Sequence, residues 1–367
     1  MTTSSSTISA KFGCMMLRIL IAASIMATAS CGLESTSFTG VQQVPEILTV
    51  TGETMGTTFK VLMVVDKDVL YRRGLTEAID RRLKQISGLM SHYDPHSELS
   101  GFNSSLMTVP YQISPEVLDV VEAANEVSRI SAGAFDITVG PLVDAWGFGP
   151  AGQPSNSPSQ ETLKLLSTQV GYQHLEVDRV NSTLRKRVPE LVVDLSGIAK
   201  GYAVDALALL LEEQSINDYV VEIGGELRVS GLNEHGNSWR VAIERPAVGV
   251  LGVQRVVALS TGAMATSGDY RNFFDLENNR VSHMIDPRTG HPASQRLFSV
   301  TVFADSCMLA DARATALAVL GQDDGYELAR REGWAVLFTH IDSAGEAGEL
   351  STPALQEWFG DAMSEKL

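Results

Sequence analysis

The spacing of apolar residues predicts a long amphipathic helix early in the chain. Leu75, Ile79, Leu83, Ile86 and Met90 lie three or four positions apart, so they share one face of a helix. A second helix is predicted to begin after residue 114, where Ser-Pro-Glu supplies an N-cap, a proline at the first helical position and an early acid. Two further helices are predicted at residues 200–214 and 309–320.

Shorter apolar runs between these helices predict strands. The predicted strands are residues 47–50, 58–65, 219–229, 239–243, 255–259, 297–303 and 334–340. Strands and helices are mixed without a strict βαβ alternation. The sequence therefore predicts an α+β fold, a single compact domain of mixed or antiparallel sheets covered by helices.

The first thirty residues are typical of an export signal. An apolar stretch of small residues at 19–30 follows Lys11 and Arg18, and it ends in Thr-Ala-Ser before Cys31. This ending resembles the lipobox cleaved by the bacterial lipoprotein signal peptidase. The alternative is an uncleaved anchor helix, although the apolar core is short for a span that needs about 20 residues.

These features predict three segments and a location. Residues 1–30 are a lipoprotein signal peptide, 31–46 a tether carrying lipid on Cys31, and 47–367 the main domain. We expect the mature protein to be lipid-anchored on the periplasmic side of a bacterial membrane. Only Cys307 then remains besides Cys31, so no internal disulfide is expected.

The overall charge argues against one class of function. The chain has a formal net charge of −16, with 44 acidic and 28 basic residues, and 44% of its residues are hydrophobic. Nucleic-acid binding requires a basic surface, so we expect a globular protein with no nucleic-acid partner.

Residues 194–205 form the most informative block. An apolar run brings Asp194 to the predicted end of a strand, a Ser-Gly turn follows, and Lys200 and Gly201 open a helix. Bare backbone next to a cation at a helix start suits phosphate. The alternative is a buried connection whose lysine forms a salt bridge.

Two oxygen donors lie four residues apart in the last predicted helix. Asp311 and Thr315 therefore share a helix face, and a carboxylate and a hydroxyl suit Mg²⁺. The alternative is an acid that interacts with the helix dipole and a threonine bonded back to its own helix.

Three other segments carry possible chemistry. His283 precedes a turn and could act as a general base, or it could be structural. Residues 265–270 read as a polar loop after a strand. Residues 133–150 combine aromatic side chains with Asp136, which suits a planar ring or the packing of a loop-rich core.

Together and in this order, these blocks resemble the ApbE family of flavin transferases. The matching blocks are residues 54–58, 90–103, 133–150, 194–205, 221–227, 265–270, 282–290 and 311–315. The resemblance implies a Mg²⁺-dependent enzyme that takes FAD as substrate and transfers FMN to a Thr hydroxyl of an exported acceptor flavoprotein, with release of AMP. The usual acceptors are subunits of Na⁺-translocating NADH:quinone reductase or Rnf-type complexes.

The resemblance also implies roles for individual residues. Metal ligands would be Asp311, Thr315 and the carbonyl of Gly197. The catalytic residues would be His283, Asp311 and Lys200, with Asp286 and Asp269 as two alternative bases to His283. The flavin nucleotide would contact Met55, Tyr93, Ala134, Phe135, Asp136, Asp194, Lys200, Met284 and Ile285. Two alternatives stay open, namely an FAD pyrophosphatase that releases FMN and AMP and a non-catalytic periplasmic FAD-binding lipoprotein.

Overall fold

The structure is a computed structural model. It describes residues 46–65, 69–149, 152–154, 156–246, 252–268, 272–277, 279–293, 298–341 and 347–360. The predicted signal peptide and Cys31, almost all of the tether, and residues 269 and 270 lie outside the described residues. Gln43–Leu367 forms one compact unit. In the described part of the chain, no helix is long and apolar enough to cross a membrane.

An eight-stranded antiparallel sheet forms the centre of the fold. Its order is β1-β2-β6-β7-β10-β15-β16-β17, and every neighbouring pair is antiparallel. The strands are β1 (Glu46–Thr54), β2 (Thr57–Val65), β6 (Tyr219–Ile223), β7 (Glu226–Ser230), β10 (Thr261–Gly268), β15 (Phe298–Ala304), β16 (Ala335–Ile341) and β17 (Ala347–Ser351).

Four small sheets lie outside this centre. They pair β3 (Tyr111–Gln112) and β4 (Leu175–Asp178) with β5 (Thr183–Lys186), β8 (Trp239–Glu244) with β9 (Val253–Leu259), β11 (Phe273–Leu276) with β12 (Asn279–Ser282), and β13 (Ile285–Asp286) with β14 (His291–Pro292). The helices are α1 (Val69–Met90), α2 (Glu98–Ser104), α3 (Pro115–Ile130), α4 (Gly140–Ala145), α5 (Gln160–Ser167), α6 (Ala199–Glu213), α7 (Cys307–Leu320), α8 (Gln322–Arg331) and α9 (Pro353–Phe359).

Both faces of the large sheet carry buried side chains, because successive side chains along a strand point to opposite faces. In β2, Val61 and Met63 join the core beneath α1, α3, α6 and α7, whereas Leu62 and Val64 pack against the core beneath the β8–β9 hairpin. Helices therefore cover one face and a hairpin covers part of the other, which confirms the predicted α+β class.

The predicted helices are confirmed, with small shifts at their ends. All five apolar residues of the α1 face are buried. Helix α3 begins at Pro115, and the Ser114 hydroxyl accepts the N–H of Val117 as predicted for an N-cap.

Three predictions about strands are wrong. The run 219–229 is two strands, because Gly224 and Gly225, with φ of 64° and 108°, turn the chain back between β6 and β7. Residues 265–268 belong to β10 rather than to a loop. The run before Asp194 is not in a sheet, because the side chain of Asn103 bonds both the N–H and the C=O of Val193.

Candidate active site

Most of the candidate residues line one cavity, which has a volume of about 350 Å³. Its lining comes from the 134–148 segment, the turn before α6, β10, the β12–β13 connection and α7. The predicted site residues among its lining are Tyr93, Ala134, Phe135, Asp136, Asp194, Gly197, Lys200, His283, Met284, Ile285, Asp311 and Thr315.

The segment before α6 is held by hydrogen bonds from distant parts of the chain. The N–H of Asp194 donates to the carbonyl of Ile137 at 2.7 Å, and the Asp194 carboxylate accepts the N–H of Ser196 at 2.8 Å. His92 Nδ1 lies 3.3 Å from Asp194 Oδ1. This side of the cavity is therefore fixed without a strand.

Two glycines set the approach of α7 to this segment. A Cβ on Gly201 would lie 2.3 Å from the carbonyl oxygen of Cys307, so only glycine lets α6 and α7 approach this closely. A Cβ on Gly197 would lie 3.1 Å from Phe135 and 3.4 Å from Thr315 Oγ1. The Gly197 backbone therefore lies beside the Thr315 hydroxyl.

Asp205 completes this contact between the two helices, a role the sequence did not reveal. Its carboxylate accepts the N–H groups of Cys307 and Met308, the Ser306 hydroxyl and the Arg228 guanidinium, at 2.8–3.1 Å. It therefore caps α7 from α6 and neutralises the N-terminal end of its dipole.

Lys200 lies between two buried acids. Its Nζ is 3.5 Å from Glu226 Oε1 and 3.8 Å from Asp311 Oδ1. Burial lowers the pKa of Lys200, but the two carboxylates together raise it above its usual value, so the ammonium stays charged. Glu226 was not predicted as a site residue. Its signal in the sequence was its place in the matching block 221–227, directly after Gly224 and Gly225.

Asp311 and Thr315 point towards the cavity, as their spacing predicted. Asp311 Oδ2 accepts the N–H of Gly201 at 3.0 Å, and burial raises the pKa of Asp311, partly offset by Lys200. Thr315 Oγ1 lies 3.3 Å from Ser267 Oγ of β10. Neither contact is the interaction within one helix that the alternative interpretation required.

These donors fit a hard cation. A carboxylate, a hydroxyl and a carbonyl from Gly197 are oxygen ligands of the kind Mg²⁺ takes while it keeps positions for water and phosphate. The described residues contain no cluster of three or more His, Cys, Asp or Glu that could hold a metal. A site with one carboxylate would leave several positions to the substrate.

The surroundings of His283 favour its neutral imidazole and define its tautomer. Its Nδ1 lies 3.0 Å from the carbonyl of Asn272, which can only accept, so Nδ1 carries the proton and Nε2 is the acceptor nitrogen. Burial lowers the pKa of His283, the Asn272 bond partly restores it, and Lys200 lowers it further. This is the state that a general base needs.

Aromatic and apolar side chains line the rest of the cavity. Tyr93, Phe135 and Phe148 contribute rings, and Ala134, Met284 and Ile285 are buried beside them. Flat rings among apolar groups suit a planar aromatic ligand. The sequence did not single out Phe148 from the rest of its block.

Two predicted flavin contacts are placed differently. Met55 is not among the cavity-lining residues; it occupies the two-residue β1–β2 turn with φ of 50°, partly buried against the core. Asp136 lines the cavity, but its carboxylate accepts from Thr138 and from the N–H of Tyr172 at 2.7–2.8 Å. The Asp136 carboxylate therefore stabilises the loop that contains it through hydrogen bonds to Thr138 and Tyr172.

Of the two alternative bases, Asp286 is bound by the guanidinium of Arg288 at 2.8–2.9 Å. Together with the N–H of Arg288, which donates to Oδ1 at 2.9 Å, this guanidinium engages both oxygens of the Asp286 carboxylate. The other, Asp269, lies outside the described residues.

Comparisons with known proteins agree with this arrangement. The ApbE family model matches residues 55–338. A protein of Vibrio cholerae named FAD:protein FMN transferase is 43% identical over 298 residues, covering 81% of this chain and 89% of the relative. The protein of the same name from Escherichia coli K12 is 41% identical over 295 residues, covering 79% and 83%.

Solved structures give the same result. The flavin transferase ApbE from Vibrio cholerae aligns with a TM-score of 0.77 at 40% identity, covering 85% of this chain and 99% of that one. The apo form of the flavinyl transferase ApbE from Pseudomonas stutzeri aligns with a TM-score of 0.78 at 36% identity, covering 86% and 98%. The chain belongs to the ApbE family.

Proposed function

We propose that this protein is a Mg²⁺-dependent FAD:protein FMN transferase. The observation that carries the proposal is one cavity in which the oxygen donors of α7, Lys200 and the aromatic walls lie together. Two relatives that bear this name, from Vibrio cholerae and Escherichia coli K12, are 43% and 41% identical to the chain over about four-fifths of its length. The aromatic and apolar residues of this lining suit a flavin ring, and its polar residues suit phosphates.

The charged residues that line the cavity support the proposal that a diphosphate binds there together with a cation. Among the described residues, the cavity lining includes the acids Asp136, Asp194, Glu226 and Asp311 and one lysine, Lys200. A diphosphate brought next to these acids would be repelled unless a further positive charge came with it. Mg²⁺ on Asp311, Thr315 and the Gly197 carbonyl would supply that charge and stabilise the negative charge that develops on the phosphoryl oxygens.

The residues of the chain then account for the transfer. The Thr hydroxyl of the acceptor attacks the phosphorus on the FMN side of the FAD pyrophosphate. The bond to the bridging oxygen breaks, and AMP leaves with the electron pair. Nε2 of His283 accepts the hydroxyl proton, and the ammonium of Lys200 lies beside the phosphates as a fixed positive charge. The product is a phosphoester between FMN and the threonine.

The main alternative has water in place of threonine, which would make the protein an FAD pyrophosphatase. Transfer requires the acceptor hydroxyl to displace water from the side of the cavity reached by His283. The cavity geometry alone fits both nucleophiles, whereas the relatives' printed names favour transfer. FAD storage without catalysis would not need a cation site beside the phosphates.

The experiment measures the mass of an acceptor. The purified protein is incubated with FAD, MgCl₂ and the soluble domain of an exported flavin subunit of a Na⁺-translocating NADH:quinone reductase. We expect that domain to gain the mass of one FMN, less water, while AMP appears in equal amount. A threonine-to-valine acceptor is the control. FMN and AMP released free, with the acceptor unchanged, would contradict transfer and identify a pyrophosphatase.

We also propose that the mature protein is held by lipid on Cys31 at the periplasmic side of the membrane, next to exported acceptors of the Na⁺-translocating NADH:quinone reductase or Rnf type. The support is the apolar stretch that ends at Cys31. Cys31→Ser should leave unprocessed precursor or release the protein from membranes. A variant of mature size that still sediments with membranes would overturn the anchor.

A further inference from the structure

Glu226 is a buried carboxylate of the cavity that no step of the transfer requires. It is 5% exposed, begins β7 and lines the cavity beside Lys200. A charged group that is taken out of water is costly unless it is paired. The contact between Glu226 and Lys200 therefore indicates what this acid does in the site.

The turn before β7 fixes the position of Glu226. The N–H of Gly225 donates to Glu222 Oε1 at 2.7 Å, which ties the turn to the end of β6. A Cβ on Gly224 would lie 3.4 Å from Cδ of Lys200, so the turn packs directly against the stem of the lysine. The large sheet therefore holds the Glu226 carboxylate beside the lysine side chain.

Lys200 lies between two acids and is in close contact with neither. Its Nζ is 3.5 Å from Glu226 Oε1 and 3.8 Å from Asp311 Oδ1, longer than the roughly 2.7–2.9 Å of a tight charge-assisted hydrogen bond. A lysine ammonium is a compact point charge on a flexible stem. If it closed on Asp311, it would occupy the oxygen atoms that a cation needs.

We propose that Glu226 is a positioning residue, which keeps the Lys200 ammonium from closing on Asp311 and so leaves the Asp311 carboxylate available to Mg²⁺. This inference rests on the proposed function, because that function places Mg²⁺ on Asp311. With Glu226 present, Lys200 keeps a carboxylate partner when Asp311 binds a cation. Without Glu226, the same binding would leave the lysine with no acid beside it, which is costly.

The test is Glu226→Gln, which removes the charge with little change of shape. The Kd of MgCl₂ for the flavin-free protein, measured by calorimetric titration, should rise about tenfold or more, as expected for coupled charges. The MgCl₂ concentration that gives half-maximal FMN transfer should rise by the same factor, while the rate at saturating MgCl₂ stays near that of wild type. Glu226→Leu should give the same Kd as Glu226→Gln, and Glu226→Asp, which keeps the charge, should restore it.

A double-mutant cycle measures whether Glu226 acts through Lys200. In a Lys200→Met background the ammonium is absent, so Glu226→Gln should change the Kd for MgCl₂ by less than about threefold. Glu222→Gln is the matched control, since it removes the same charge from the same turn and keeps an oxygen for the N–H of Gly225. Glu222 is not among the cavity-lining residues, so this variant should have the wild-type Kd.

The remaining outcomes separate this inference from the proposed function. An unchanged Kd in Glu226→Gln overturns the positioning role and leaves the transferase function intact. An equal loss of Mg²⁺ affinity with and without Lys200 would mean that Glu226 acts on the cation directly, and the role through Lys200 would be wrong. If the wild-type protein does not label the acceptor, the proposed function is overturned, whereas the calorimetric Kd values still decide the role of Glu226.

Discussion

Asp311 is the one carboxylate among the three proposed metal donors, so its charge can be removed with little change of shape. Asp311→Asn keeps an oxygen for the N–H of Gly201 but loses the negative charge. We expect the rate of FMN transfer to fall by at least about 10²-fold, the usual cost of losing one preorganised electrostatic group. The rate of acceptor labelling at several MgCl₂ concentrations measures this.

Asp323→Asn, in the exposed first turn of α8, is the matched control and should behave as wild type. Wild-type transfer by Asp311→Asn in the presence of EDTA would show that the cation site is wrong.

His283 allows a prediction about pH, because its pKa is lowered by burial and by Lys200. The neutral imidazole is the active base, so the wild-type rate should rise with pH through a midpoint below 6.5 and then level off. In His283→Ala the rate should fall by roughly 10²–10⁴-fold and keep rising above neutrality, as hydroxide replaces the base. Single-turnover labelling at saturating FAD across pH 5–9 distinguishes the two profiles.

FAD titration provides the control for that experiment. The aromatic and apolar residues proposed to contact the flavin ring are other residues of the cavity, so His283→Ala should bind FAD as wild type does. Weakened FAD binding with a wild-type pH profile would place His283 in the binding pocket and remove it from the proton transfer.

Individual residues also show what the sequence could predict. Asp311 and Thr315 were found because four residues make one helical turn, a local rule that holds before any tertiary contact is known. Asp136 was assigned to the flavin by its block, yet the N–H of Tyr172, 36 positions away, takes one of its oxygens. The partners of a buried carboxylate come from long-range contacts, which a local pattern does not contain.

At the scale of elements, the crossing of α6 and α7 depends on Gly201. In Gly201→Ala the new methyl group would meet the backbone of Cys307 and Met308 at 2.3–2.8 Å, so α7 must move. We expect a loss of about 1–3 kcal/mol in the free energy of unfolding and a lower transfer rate, because Asp311 moves with α7. Urea unfolding and the labelling assay measure the two effects.

Gly88→Ala is the matched control for this substitution. Gly88 lies near the end of α1 with nothing within 4 Å of an added Cβ, so the change should stabilise the helix by up to about 1 kcal/mol. If Gly201→Ala were as stable as wild type, the close approach of the two helices would not be needed.

Some elements of this fold could be predicted from local sequence patterns, and others could not. Helix α1 was predicted because its five apolar residues follow one period over several turns. The turn between β6 and β7 was missed because Gly224 and Gly225 interrupt a continuous run of strand-forming residues, and either a bulge or a reversal fits such a run. The apolar run before Asp194 was predicted to be part of a strand. Its hydrogen bonds go instead to Asn103, 90 positions away along the chain, and a local pattern does not contain that contact.

At the scale of the whole molecule, the cavity is assembled from segments spread from Tyr93 to Val319. The order of these segments along the chain was recognisable as a family pattern. The distances between their residues in the folded protein could not be predicted from that order. Lys200 and Glu226, for example, lie in separate elements, and only the packing of α6 against the large sheet brings them within 3.5 Å. The sequence therefore indicated which residues form the site, and the fold shows which of them touch.

The shared cavity also predicts that Mg²⁺ and FAD stabilise the protein cooperatively. Four acids and one lysine line it, so FAD alone meets repulsion, and the cation alone lacks the phosphate ligands that complete its shell. Each should therefore raise the affinity of the other by the same factor. Each ligand alone at about 100 times its own Kd should stabilise the protein by roughly 2.7 kcal/mol, and the two together by more than twice that amount, a rise of several degrees in Tm. Thermal unfolding with Mg²⁺, with FAD, with both and with neither measures the coupling between the two ligands. Riboflavin has no phosphate, so it should show no coupling with Mg²⁺. An FAD-induced rise in Tm that is equally large in EDTA would mean that the phosphates bind without the cation.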